Sequence, residues 1–385
     1  MKKVAAILIV ATIILASLTV VLYAGLGSAR GFSKTDLVTP SIDYLQWSSG
    51  APPNPATSVR QWTDWYIVGR TSEGGIYSEF GGVVWLSVTN SGPRDMYVYG
   101  AGLSWVGTSV TYHKDADVLI ESGETREIGL LSFGAPVEPG ERAYEMSLEY
   151  AVKETSGSAW YDYGAARTTA DVLDVQRPVA ARSWDTERNP ANYFDEVNSR
   201  IDTEAVSSVV SGIRSNLSGG YNILQACAAY EWARRNIEYK LDDGDYWQSA
   251  DESMSLRSGD CEDGAILLCS ILTGLGGCAR VNIIEKHAFA SLYVGDGGSD
   301  LTVMEDAIAS YYRLSPGASK VNYLIDDTGY WMLMDTYGVP HVGGLPAECS
   351  YAFSGEGEGT WTFTGSDFLI TIDATGQSSK LLGLF

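Results

Sequence analysis

The sequence predicts three kinds of structure in succession: an N-terminal transmembrane helix, an all-β sandwich and a C-terminal α+β domain. Three observations lead there. An uncharged apolar run extends from Val4 to Leu26, long enough to span a bilayer. Residues 61–176 carry short apolar alternations separated by turn residues, the pattern of half-buried strands. Beyond residue 177 helical periodicity appears first, and strand-like runs join it after Gly276-Gly277. A chain of 385 residues is too long for one ordinary compact domain, so several units are expected.

Residues 1–30 read as a signal anchor. Met1-Lys2-Lys3 precede the apolar run, and so short an N-terminus stays inside, which sends the remainder outside. The expected localisation is the cell membrane, single-pass, with the bulk of the chain extracytoplasmic. A secreted protein, cleaved at the small residues Gly27-Ser28-Ala29, is the alternative. Residues 31–60, with Gly50-Ala51-Pro52-Pro53-Asn54-Pro55, read as a stalk linker.

In the β-sandwich domain, 61–176, Val83–Val88 and Met96–Tyr99 flank the turn Asn90-Ser91-Gly92-Pro93. Val118–Ile120 precedes the turn Ser122–Thr125, and Tyr144–Tyr150 alternates almost without fault. At the level of fold this strand order is similar to immunoglobulin-like modules. His113, the one histidine of the region, has no obvious carboxylate or thiol partner in the sequence. Residues 177–220 form a helical connector, with short helices expected over 195–201 and 206–217 and a break at Gly219-Gly220. Residues 221–385 form the last domain, with an insertion at 297–329.

The formal net charge of −22 speaks against nucleic acid or an anionic membrane surface as a partner, because both repel an acidic protein at long range. Five cysteines leave one without an intrachain partner. Cys261 is the candidate, and Cys227, Cys269, Cys278 and Cys349 then allow three disulfide pairings. No CxxC spacing occurs, so no zinc site or other metal is expected. Ile223, Leu224, Cys227, Ala228, Tyr230 and Trp232 recur at helical spacing, which makes Cys227 a core residue.

The stretch that carries chemistry begins at the polar turn Arg257–Asp263. Immediately after it, Ala265, Leu268, Cys269, Leu272 and Leu275 fall on one helical face, so Cys261 stands at a helix N-terminus. Unpaired backbone N–H groups there favour an anion and should lower the thiol pKa toward the reactive thiolate. Two strand-like runs follow, Arg280–Ile284 and Ala288–Val294, and His287 opens the second, sharing a face with Phe289, Ser291 and Tyr293. His287 is placed to take the thiol proton and return it to a leaving group. A third run, Tyr330–Asp335, ends in a carboxylate that can orient the imidazole. Asp326 and Asp327 compete with Asp335 but fall in the turn before the strand, and His341 competes less well with His287 because it follows that strand.

Trp247-Gln248, Glu252, Gly259-Asp260-Cys261-Glu262-Asp263, Ala279-Arg280-Val281, His287-Ala288-Phe289 and Trp331–Asp335 together resemble the transglutaminase-like superfamily, in its microbial membrane-attached branch. The resemblance covers Asn222 to Val342. It implies a papain-like α+β core with Cys261, His287 and Asp335 as the catalytic triad, and an oxyanion hole using the backbone N–H of Cys261 with Trp247 or Gln248 as upstream candidates. Two departures stand out. Ser249-Ala250-Asp251 replaces the usual Pro before the upstream Glu, and His287 and Asp335 lie 48 residues apart. Most of that excess is residues 297–329, where Val303, Met304, Ala307, Ile308 and Tyr311 mark a helical stretch that can serve as a lid or wall beside the cleft.

The expected activity is thiol-dependent acyl transfer on peptide or isopeptide amides, chiefly hydrolysis, with no cofactor. The expected partners are a peptide or protein substrate at the cell surface and the membrane through the N-terminal helix. The alternatives are a crosslinking transglutaminase and a non-catalytic binding module that uses the same cleft.

Overall fold

The computed structural model describes residues 31–47, 55–56, 65–71, 75–167, 171–242, 244, 246–353 and 360–376. In the N-terminal half the sequence alternation becomes two sheets. Gly82–Asn90 is the centre of a three-stranded antiparallel sheet, flanked by Trp65–Thr71 and Thr125–Phe133. Gly140–Lys153 is the long strand of a second sheet and pairs with Met96–Trp105, Trp160–Arg167 and Asp171–Gln176. Period-two burial along it turns Tyr144, Met146, Leu148 and Tyr150 inward. They share one core with Leu86, Val88, Met96, Leu103 and Leu131.

A second core is built on a six-stranded sheet. Its strands are β1 (Asp185–Arg188), β2 (Ala279–Ile284), β3 (His287–Gly295), β4 (Tyr323–Asp326), β5 (Gly329–Met334) and β6 (Phe368–Asp373). They lie in the order β1-β6-β2-β3-β5-β4, antiparallel except for the β1–β6 pair. Six helices accompany it: α1 (Ala191–Asn198), α2 (Ser207–Asn216), α3 (Ile223–Asn236), α4 (Ala250–Leu256), α5 (Cys261–Leu275) and α6 (Ser299–Tyr311). Helix α5 is apolar almost all round and is buried from Ala265 to Leu272, as expected of a helix enclosed on every side. It shares a core with Val281 of β2 and with Ala290, Leu292 and Val294 of β3. The opposite face of the sheet carries Ile284, Phe289, Leu333 and Leu369 under Leu345, Cys349, Trp361 and Phe363.

The expected class needs correction. Among the described residues the structure is mostly β, with 39% strand against 22% helix, and its sheets curl as half-barrels rather than forming an α+β core behind an immunoglobulin-like sandwich. The excess comes from short strands, β1, β4, β6, Cys349–Phe353 and Trp361–Phe363, whose 3–6 residues carry little periodicity of their own and are stabilised by neighbours instead. The transmembrane helix is corrected as well. Among the described residues no helix is long and apolar enough to cross a membrane, so the single-pass N-terminal anchor is not seen; residues 1–30, on which that expectation falls, lie outside the described residues.

Candidate active site

The turn before α5 is organised by one carboxylate. Asp263 accepts the backbone N–H of Gln248 at 2.7 Å and that of Asp260 at 3.2 Å, tying the start of α5 to the segment before α4. A side chain at position 259 would place its Cβ 2.7 Å from the Asp263 Cβ, and one at 264 would lie 2.6 Å from the Tyr337 ring. Both glycines therefore permit close approach. Cys261 is the first residue of the helix, as its sequence position predicts.

His287 and Asp335 meet through sheet register. β3 and β5 pair antiparallel with Ala290 opposite Met334, so the residue after Met334 stands across from Phe289, on the face that His287 shares. His287 Nε2 and Asp335 Oδ2 are 2.9 Å apart, and Asp335 Oδ1 accepts the Tyr337 backbone N–H at 3.0 Å. The hydroxyl of Tyr230, on α3, lies 2.6 Å from the backbone carbonyls of both Asp335 and Val339 and fixes this corner. Because His287 opens its strand and Asp335 follows the end of its own, the pair sits at the end of the sheet. There the imidazole and the Cys261 thiol are near enough to act on each other's titration.

The electrostatics differ from the expectation. Burial pushes the Cys261 thiol up; the hydrogen bond and charge of His287 oppose the rise, and Glu262 adds to it. Proximity to a helix N-terminus does not outweigh desolvation of the thiolate. Burial acts to lower the His287 pKa, but Asp335 overrides it and, with Cys261 and Glu348 contributing, the imidazole is pushed up to about 11. The ring is therefore charged at neutral pH. Burial also pushes Glu262 up to about 7 and Asp263 up to about 6.

The other candidates separate cleanly. Trp247 is buried in the main core and stacks near Tyr193. Gln248 is buried too; its backbone N–H is committed to Asp263, and its side-chain Oε1 accepts from Ser253 at 3.3 Å. His341 is buried against Tyr312, with Nδ1 2.8 Å from the Val342 carbonyl, and burial lowers its pKa. Asp326 is paired with Arg280 at 2.6 Å, and Asp327 is exposed. His113 does have carboxylate neighbours, Glu149 at 3.5 Å and Asp115 at 3.8 Å. All five cysteines are free, so none of the three pairings that the count allows is formed; Cys227 and Cys269 are packed in the core. Helix α6, from residues 297–329, buries Met304, Ala307 and Ile308 in that same core, which makes it an integral layer rather than a mobile lid.

Four residues of the site escaped sequence reasoning: Glu262, Tyr230, Tyr337 and Glu348. Glu262 accepts from the Cys261 thiol at 3.1 Å, and Glu348 lies 3.7 Å from His287 Nε2. Only Glu262 had a signal, its place beside Cys261. His287, Asp335 and Glu348 bring possible ligand atoms close together, as do Asp260, Glu262 and Asp263. Within these groups His287 already contacts Asp335 and Asp263 accepts two backbone N–H groups.

No family model and no curated protein matches the sequence. Among solved structures, the chain is similar to a candidate cysteine protease from Cytophaga hutchinsonii, at 11% identity and a TM-score of 0.22, over 60% of this chain and 75% of that one. It is also similar to PapD-like domain 7 of human CEP192, at 14% identity and a TM-score of 0.18, over 32% of this chain and 99% of that one. A third is alpha-2-macroglobulin from Escherichia coli, from domain MG7 to its C-terminus, at 13% identity and a TM-score of 0.16, over 54% and 33%. At scores this low these likenesses carry no argument about activity. The chemistry rests on the chain's own geometry.

Proposed function

We propose that the protein is a transglutaminase-like thiol enzyme that transfers acyl groups from peptide or isopeptide amides, with water as the usual acceptor. The observation that carries this reading is the 2.9 Å contact between His287 Nε2 and Asp335 Oδ2, with the same imidazole near enough to the Cys261 thiol to oppose the rise in its pKa. Asp335 occupies Nε2, and because the ring already carries its proton the reacting form is the thiolate–imidazolium pair, reached when Cys261 gives its proton to a base other than His287. The Cys261 thiolate attacks the amide carbonyl carbon, the C–N bond breaks, and the His287 imidazolium gives its proton to the departing amine. Water then attacks the thioester while neutral His287 takes a water proton, and the C–S bond breaks to return the thiolate and release the acid. Asp335 orients the ring and stabilises its charge. The backbone N–H of Cys261 and the side-chain amide of Gln248 are the proposed oxyanion donors. An amine in place of water gives a crosslinked product.

Intact-protein mass spectrometry on acid-quenched mixtures with a library of peptide amides and isopeptides tests this. The expected result is a transient mass gain on Cys261, removed by hydroxylamine and absent from Cys261→Ala. Folded protein that binds peptides yet gains no mass and releases no product sinks the reading in favour of a non-catalytic binding module.

A further inference from the structure

A second carboxylate touches the proposed nucleophile, and no step above uses it. Glu262 Oε2 accepts from Cys261 Sγ at 3.1 Å, and Glu262 is 8% exposed. The titratable groups around it come from several segments. On its own turn, Asp260 lies close enough to Glu262 for the two carboxyls to influence each other's titration, and Asp263 is held by backbone N–H groups. Tyr239 and Asp242 approach from the segment after α3. Tyr337 and Asp335 come from the end of β5, and Glu348 from the segment before Cys349–Phe353. His287 faces the thiol from β3. Among these groups only His287 is cationic, so a thiolate beside an ionised Glu262 is a second negative charge in a pocket with one compensating cation.

We propose that Glu262 is a latch on the nucleophile: in the resting enzyme its carboxylate keeps the proton on Cys261, and the thiolate forms when that proton passes to the Glu262 carboxylate. The inference rests on the reading of Cys261 as nucleophile. The step conserves protons and charge. The S–H bond breaks, an O–H bond forms on Glu262, and the negative charge moves to sulfur beside the His287 imidazolium.

The latch has a signature in pH. Two acids that share protons titrate as a pair. Glu262 is pushed up to about 7 and the thiol is pushed above its ordinary range, while His287 stays charged to about 11. Through neutral pH the singly protonated pair builds up. Its minor form, with the proton on Glu262 and the charge on sulfur, then holds a constant share until the pair loses its last proton. Thiolate reactivity should rise to a plateau near neutrality and rise again in alkali.

The test is the rate of iodoacetamide alkylation of Cys261 from about pH 5 to about pH 10, read by peptide mass spectrometry. Wild type should give the two-step profile. Glu262→Gln should give a single step and react at least about tenfold faster at neutral pH, the effect of a one-unit fall in thiol pKa. Alkylation of a folded Glu262→Gln protein that is unchanged or slower overturns the latch. If that variant does not fold, the wild-type profile decides, and a single step overturns the proposal. Alkylation needs no substrate, so the two readings fail separately. A two-step profile without any acyl-enzyme keeps the latch and sinks acyl transfer, whereas acyl-enzyme formation with a single-step profile sinks only the latch.

Discussion

Two polar arrays occupy the six-stranded sheet, and they differ in how completely they are satisfied. Around Asp373, at the end of β6, Arg280 Nε donates at 2.6 Å, Arg188 and the Phe32 backbone N–H at 2.8 Å, and Asn189 at 2.9 Å. Arg280 also reaches Asp326 and lies 3.5 Å over the Trp331 ring. Both Asp373 oxygens are occupied, although Arg280 Nη2 is buried without a hydrogen-bond partner among the described residues; the carboxylate has no second site for its proton. At Cys261 the same chemistry is incomplete: one imidazole serves a thiol and a carboxylate, and a second carboxylate waits on the sulfur. Burial of charge is common to both arrays. A proton with more than one place to go belongs only to the second.

The contrast predicts phenotypes that differ in kind for two aspartates. Asp335→Asn should reduce acyl-transfer turnover by roughly a thousandfold or more, because the amide favours the wrong tautomer of His287, and should also lower the denaturation midpoint at neutral pH, where the pairing with His287 contributes to stability. Steady-state kinetics and urea titration together check it; a variant that loses stability and keeps turnover reverses the roles given to the two arrays. Asp373→Ala should cost about 3–5 kcal/mol, the effect of leaving Arg280 buried with a partner removed, measured by chemical denaturation. A loss of only a few tenths would mean the array is a bystander.

Smaller effects sharpen the comparison. Folding raises the pKa of His287 from 6.5 to about 11. Its contribution to stability is therefore fully present below pH 6.5 and is lost as pH rises through about 11. Wild type should lose stability across that window, and Asp335→Asn should lose much less, in urea denaturation at a series of pH values. Parallel curves for the two proteins would contradict the pairing. Gly264→Ala pushes a Cβ to 2.6 Å from the Tyr337 ring and should cost about 1–3 kcal/mol by overpacking. Turnover should fall with it, since Tyr337 holds Asp335 through its backbone N–H. An unchanged melting temperature would show that the ring yields freely.

Much of the local structure was legible because local patterns dictate it. The turn ending at Asp263 and the apolar face that follows place the start of α5 at Cys261, and alternation marks β3 and the strand before Asp335. The overall class was misjudged because strands of three to six residues in the last hundred positions hold their shape through their neighbours rather than through their own periodicity. The count of cysteines left the pairing open for a related reason: it says nothing about distance, and all five are free.

The sequence by itself determined which residue types stand at which element ends: a cysteine opening a helix, a histidine opening a strand and an aspartate closing another. Tertiary structure decided what those residues do to one another. Sheet register brings His287 and Asp335 together across 48 positions, and enclosure of the α5 N-terminus turns an expected fall in thiol pKa into a rise. It also makes Glu262, a neighbour in sequence, a proton partner of the thiol. The reason is physical: helix and strand patterns are set by neighbours along the chain, whereas desolvation and charge pairing depend on everything within a few ångströms in space.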